Sequence, residues 1–248
     1  MENIIDELYQ EVENLQIDWS VNGLIDANES IYSLGHDTKL IGRIFEILVA
    51  PAVKTYAEKH DLKYEIPSKQ NIYPDFTLSK SNGRRIAIDV KTTYLQKNLS
   101  GENRSFQYTL GSFNSFLRDN TKNIHYPYDQ YDIHLVIGFL YERNPESKEG
   151  IIVNGVKHLQ ELPSPVKNVQ YFIQHKYKIS GDKPGSGNTE NIGSIKSNDL
   201  LHFKQGKGPF SELGESVFED YWRNYPRYRT SEKRKYTDLE SYFKYKGQ

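Results

Sequence analysis

Asp75, Asp89 and Lys91 are the residues of this sequence whose types and spacing could do chemistry. Asp89 and Lys91 stand in Ile86-Ala87-Ile88-Asp89-Val90-Lys91. Successive side chains of an extended strand leave opposite faces, so the acid and the amine share one face while Ile86, Ile88 and Val90 line the other. Asp75 follows a proline in Tyr73-Pro74-Asp75-Phe76-Thr77-Leu78, which reads as the partner strand of the same hairpin. Two carboxylates suit a hard cation such as Mg²⁺, which takes one or two protein oxygens and leaves the rest of its shell to water and a substrate phosphate. Such an ion polarises a phosphoryl oxygen and acidifies bound water, and a neighbouring ammonium adds positive charge where the phosphorane develops. The chemistry indicated is hydrolysis of a phosphodiester. An Asp-x-Lys pair is also an ordinary solvated feature of a half-exposed sheet, so the reading needs all three groups on one face.

The hairpin register decides that. A two-residue Asn82-Gly83 turn closing Ser81 on Arg84 would set Asp75 opposite Val90 and point it into the apolar face. A three-residue loop or a bulge shifts the register by one and sets Asp75 opposite Asp89. The second arrangement is predicted.

Stepping outward, Ile4, Ile5, Leu8, Val12 and Leu15 recur at helical spacing, which predicts an amphipathic helix over 2–15 with an acidic outer face. Short strands are expected between Ile17 and Ser33. A longer helix is predicted from Asp37 to about His60, burying Ile41, Ile44, Phe45 and Leu48 and leaving Glu46 and Lys39 off that stripe. Strands are expected over Leu62–Ile66, Ile133–Tyr141 and Val169–Ile173, a short helix over Ser112–Asp119, and a last helix from Glu212 to Tyr225. The sum is an α/β chain with a mixed, five-stranded type of sheet flanked by helices, one domain over 1–248.

Its 248 residues suffice for a substantial core. The absence of cysteine excludes disulfides and thiolate metal sites, and the seven histidines show no ligand spacing. No apolar run reaches membrane-spanning length and Glu2, Asp6 and Glu7 rule out a basic leader, so a soluble cytoplasmic protein with no membrane partner is expected. The 32 basic and 33 acidic residues nearly cancel but are unevenly placed. Met1 to Thr38 holds no lysine or arginine, whereas Arg223, Arg227, Arg229, Lys233, Arg234 and Lys235 crowd the C-terminal part, which a polyanion would favour.

Six or more blocks, in order, carry a resemblance. They are Gly35-His36-Asp37-Thr38-Lys39 with Ile44-Phe45-Glu46, Gln70-Asn71-Ile72-Tyr73-Pro74-Asp75-Phe76-Thr77-Leu78, and Ile86 to Tyr94 with Thr92 and Thr93. Asn120-Thr121-Lys122-Asn123-Ile124, Gly185-Ser186-Gly187-Asn188-Thr189 with Asn191-Ile192-Gly193-Ser194, and Asp220-Tyr221-Trp222-Arg223-Asn224-Tyr225 follow. The chain resembles the PD-(D/E)xK nuclease superfamily, and within it the EcoRV-type type II restriction endonucleases.

The resemblance implies Mg²⁺-dependent cleavage of double-stranded DNA at a short palindrome, GATATC or a close relative, at its centre and to blunt ends with 5′-phosphates. It implies a homodimer, with 1–35 as a dimerisation segment, and a cognate DNA methyltransferase as functional partner. Asp75, Asp89 and Lys91 become catalytic, the two aspartates metal ligands, and Glu46 an auxiliary acid near metal or water. Residues 181–194 become a recognition loop in which Gly185, Ser186, Gly187, Asn188 and Thr189 approach base edges, an adenine being a fit for Asn188. Gln70 and Asn71 suit minor-groove edges. Thr38, Lys39, Thr92, Thr93, Lys122 and Arg223 are expected on the DNA as well, Lys122 at phosphates, which fix register without reading sequence. Three alternatives stay open: a structure-selective repair nuclease or junction resolvase of the same superfamily, a DNA-binding module without catalysis, and an interaction protein borrowing the fold. Discrete plasmid fragments would exclude the first, Mg²⁺-dependent nicking the second, and the intact polar triad disfavours the third.

Overall fold

A computed structural model describes residues 3–69, 71–185, 190–226 and 235–247. In chain order its elements are α1 (Ile4–Asn14), β1 (Gly23–Ile25), β2 (Ser30–Ser33), α2 (Thr38–Lys59), β3 (Lys63–Glu65), β4 (Phe76–Ser79), β5 (Arg85–Tyr94), β6 (Thr109–Ser112), β7 (Tyr131–Arg143), β8 (Ile152–Asn154), β9 (Val166–His175), α3 (Lys176–Ile179), β10 (Ser180–Pro184), β11 (Asn191–Ser194), α4 (Leu201–Lys204), α5 (Phe210–Leu213), α6 (Glu215–Asn224) and α7 (Leu239–Lys246). The central sheet has five strands in the order β3-β4-β5-β7-β9, and it is mixed because β5 and β7 run parallel while their neighbours are antiparallel. This is the α/β architecture expected from the sequence.

Both faces of the sheet are covered, each for a reason visible in the alternation. Ile86, Ile88 and Val90 face α2 and α1, where they meet Phe45, Val49, Val53, Leu8 and Val12. Asp37 caps α2 by accepting from the N–H groups of Lys39 and Leu40. The opposite face, with Ala87, Val136 and Phe172, lies under an aromatic layer built from Phe113, Phe116, Tyr128, Phe203, Tyr221 and Trp222. Residues of β6 join β10 and β11 in a small second sheet on that side. Asp89 is therefore only 3% exposed, and the half-exposed alternative for the Asp-x-Lys face does not hold.

The hairpin takes the register predicted. Phe76 pairs with Ile88 and Leu78 with Ile86, a ladder that places Asp75 opposite Asp89. A three-residue loop, Ser81-Asn82-Gly83, closes it: Lys80 N–H donates to Arg84 O at 2.8 Å, and Gly83 takes φ +82°, where a side chain would be strained.

Several expectations are corrected. Ser112 to Asp119 is the end of β6 followed by turns, not a helix, since its aromatics pack individually into the core. The C-terminal helix is two, α5 and α6, broken by Gly214 at φ +89°. Helix α1 is amphipathic as predicted: Ile4, Leu8 and Val12 are buried against α2, and Glu11 pairs with Lys59 at 2.7 Å. Outward apolar surface lies on β1, β2 and the β8 strand paired with them, where Leu24, Tyr32 and Ile152 stand directly opposite one another and are 51%, 42% and 55% exposed.

Candidate active site

The predicted triad comes together on the buried face of β5. Lys91 Nζ lies 2.8 Å from Asp89 Oδ2. Asp75 reaches the same strand from the end of β4, its Oδ2 accepting the Val90 N–H at 2.7 Å. All three line a cavity of about 360 Å³, walled by Asn71, Tyr73, Gly111, Phe116 and Lys122. The Tyr73–Pro74 peptide is cis. Tyr73 is also tied to the next segment, its N–H donating to Asn123 O and its carbonyl accepting from His125 N–H, which brings Lys122 to the cavity beside the aspartates.

The charges are arranged for a cation. Burial, then the Asp89 charge with a further push from Glu46, raises Asp75 to about 8, against the pull of Lys91 and the Val90 N–H. Burial alone would lower Lys91, but Asp89 and Asp75 outweigh it and hold the ammonium above its ordinary value. Asp89 Oδ2 is buried and accepts no well-directed hydrogen bond, its contact with Lys91 being an ion pair. A buried carboxylate paired with one ammonium, beside a second, reluctantly ionised carboxylate, is a donor set that fits a hard divalent ion. Among the described residues no group of three His, Cys, Asp or Glu side chains is placed to share a metal. Glu46 is near but engaged: its carboxylate meets Arg43 at 2.5 Å, and it shares two neighbouring cavities with Asp75 and not the one holding Asp89.

The other predicted residues distribute as follows. Thr38, Lys39, Thr92 and Thr93 line one cleft with Asp75, Lys91 and Glu46. Asn71 and Lys122 line the catalytic cavity. Gly185 closes the β10–β11 hairpin, donating its N–H to Asn191 O at 2.9 Å, while Ser186, Gly187, Asn188, Thr189 and Gln70 lie outside the described residues. Arg223 lies along the surface, its side chain 45% exposed, with its Nε donating to Leu117 O at 3.0 Å and its guanidinium 3.5 Å from Glu219, and it lines none of the cavities around Asp75.

A polar row stands behind the triad that strand alternation did not single out. His134, read as an ordinary histidine, stands beside Ala87 on the Asp89 face and is 2% exposed, its Nδ1 2.8 Å from Tyr73 Oη. Lys176 is 1% exposed next to it. The signal available was weak: His134 interrupts an otherwise apolar strand. Gln107 and Thr109, which join the cleft of Thr92 and Thr93, were likewise not singled out.

Comparison with known proteins bears on this geometry. A family model described as "Restriction endonuclease EcoRV" matches residues 15–247. The "Type II restriction enzyme EcoRV" of Escherichia coli is 44% identical over 242 residues, covering 97% of this chain and 94% of the relative. The solved "NlaIV restriction endonuclease" aligns over 100% of this chain and 89% of its own, at 12% identity and a TM-score of 0.40. Extent and identity together place the chain: it belongs to the EcoRV family of restriction endonucleases, and it is a type II site-specific deoxyribonuclease acting on DNA.

Proposed function

We propose that the enzyme hydrolyses both strands of a palindromic duplex, GATATC or a close relative, at its centre, with Mg²⁺ held by Asp75 and Asp89. The observation that carries this is the convergence of Asp75, Asp89 and Lys91 on one cavity, with the Asp89 carboxylate buried there. When bound, the ion would acidify a water and withdraw charge from a phosphoryl oxygen. Asp75, fixed by the Val90 N–H, and Asp89, fixed by Lys91, hold their oxygens in place for it. Lys91 stays an ammonium, so it orients the attacking water as a hydrogen-bond donor and offsets the growing negative charge instead of removing a proton. Glu46 assists metal or water from the adjoining cavity once its carboxylate leaves Arg43. In-line attack leaves a 5′-phosphate and a 3′-hydroxyl.

Thr38, Lys39, Thr92, Thr93, Asn71 and Lys122 surround this centre and would hold the backbone and groove on either side. Gly185 to Thr189 would read base edges, with Gln70 and Arg223 further DNA contacts. A central TA step is easily deformed, so bending there contributes to recognition without base contact. Cutting both strands of a palindrome calls for two sites related by a two-fold axis. The outward row of Leu24, Tyr32 and Ile152 supports a homodimer through the β1-β2-β8 sheet. A methyltransferase protecting the same sequence, and action in the cytoplasm, complete the reading.

The test is digestion of phage DNA with Mg²⁺ beside an Asp89→Ala control, with the ends sequenced. Blunt ends centred on GATATC are expected from the wild type alone. Ends at another sequence overturn the specificity, and cutting confined to branched or mispaired DNA overturns the palindrome.

A further inference from the structure

Lys176 is a feature for which the chemistry above has no use. It opens α3 at 1% exposure, and its Nζ makes no hydrogen bond among the described residues. The ammonium lies 4.4 Å from the Tyr73 ring centroid and 4.9 Å from that of Phe116, and these two rings stack on each other at 4.3 Å. A Cβ built on Gly111 would come within 3.7 Å of the same nitrogen. Tyr73, Phe116 and Gly111 are all walls of the cavity that holds Asp75, Asp89 and Lys91. The cation therefore sits directly behind the wall of the catalytic cavity.

Burying an unpaired ammonium is costly, and an apolar side chain of similar shape would serve the core better. Two aromatic faces return part of that cost, but nothing in the packing requires a charge. The groups that act on it are Asp89 and Lys91 from β5, Glu215 from α6 and His134 from β7. Burial pulls Lys176 down to about 7, while Asp89 and Glu215 pull the other way. A phosphate entering the cavity favours the charged form, against the divalent ion it accompanies.

We propose that Lys176 is a positioning residue for phosphodiester cleavage, a buried cation that acts through the Tyr73–Phe116 wall to draw the scissile phosphate against that side and to stabilise the charge it gathers in the transition state. It touches no substrate atom. Its effect is greater in the transition state than in the ground state because the phosphoryl group becomes more negative, and a low-dielectric wall screens little.

The test uses full-length enzyme carrying Lys176→Met, which keeps length and aromatic contact and removes the charge. Thermal melting, duplex affinity in Ca²⁺ and the single-turnover cleavage rate in Mg²⁺ are measured beside the wild type. Expected are a melting temperature equal to or above that of the wild type, a duplex Kd within about twofold, and a cleavage rate lower by about tenfold or more. A purely structural lysine would move melting and rate together. Lys176→Gln supplies the same comparison if the methionine variant folds poorly. A folded variant cutting within about twofold of wild type overturns the proposal, as does a rate that recovers when each enzyme is assayed equally far below its own melting point. A wild type that cuts no duplex defeats the phosphodiester reading itself, and is seen before any variant is compared.

Discussion

Lys91 Nζ stands 2.8 Å from Asp89 Oδ2, two residues along the same buried face of β5. The pair is shielded unequally, the lysine side chain being 25% and the aspartate 5% exposed. Removing one member of a buried pair leaves the other uncompensated, which costs on the order of 3 kcal/mol. Lys91→Met should therefore melt lower than wild type in EDTA, and Asp89→Asn combined with Lys91→Met should melt higher than Lys91→Met alone. Calorimetry of the three proteins checks this, and equal melting of single and double variants would remove the pair from the account.

Asp75 gives the metal-free enzyme a pH dependence of definite sign. Its folded-state value, about 8, is raised above the ordinary 3.8. The native state thus binds this proton more tightly than the unfolded chain, so the contribution is whole at low pH and is lost as pH rises through about 8. Between about pH 5 and pH 8 the metal-free protein should lose melting temperature relative to Asp75→Asn. Stabilisation by Mg²⁺ should grow over the same range, because binding must displace that proton. Melting curves with EDTA or Mg²⁺ at several pH values decide it.

Leu24, Tyr32 and Ile152 form an exposed row across three strands, left open among the described residues. For the homodimer proposed through this row, Tyr32→Asp or Ile152→Asp should leave the fold intact and give a monomer with loss of double-strand cutting. Sedimentation velocity checks the mass, and an unchanged mass in both variants would move the interface elsewhere.

Gly138 lies opposite Phe172 in the β7–β9 ladder, and a Cβ there would fall 2.1 Å from the Phe172 ring. It also pairs with Lys91 in the β5–β7 ladder. Gly138→Ala should destabilise by about 1–3 kcal/mol through overpacking and depress cleavage by displacing the lysine. Denaturant unfolding gives the first quantity and cleavage kinetics the second.

The hairpin and its register were legible in the sequence because strand alternation has a period of two, so one polar face and one apolar face admit a single pairing. Helix α2 was legible from the spacing of Ile41 and Phe45, although Ile44 and Leu48 are only half-buried and Val49, Val53 and Tyr56 complete the stripe. The 112–119 segment was misread because an aromatic-rich run satisfies helical spacing and irregular packing alike. The polar row of His134 and Lys176 was not legible, since burial beneath Phe116 and Tyr73 is set by contacts distant in sequence.

The central claim is that Asp75, Asp89 and Lys91 act as one centre, and single-turnover cleavage of a duplex containing the recognition sequence tests it most directly. Asp75→Asn, Asp89→Asn and Lys91→Met are compared with wild type in saturating Mg²⁺, with duplex binding in Ca²⁺ measured on each. Each substitution is expected to slow cleavage by at least on the order of a thousandfold while duplex binding persists. A folded, DNA-binding variant at any of the three positions that cuts within about tenfold of wild type would contradict it.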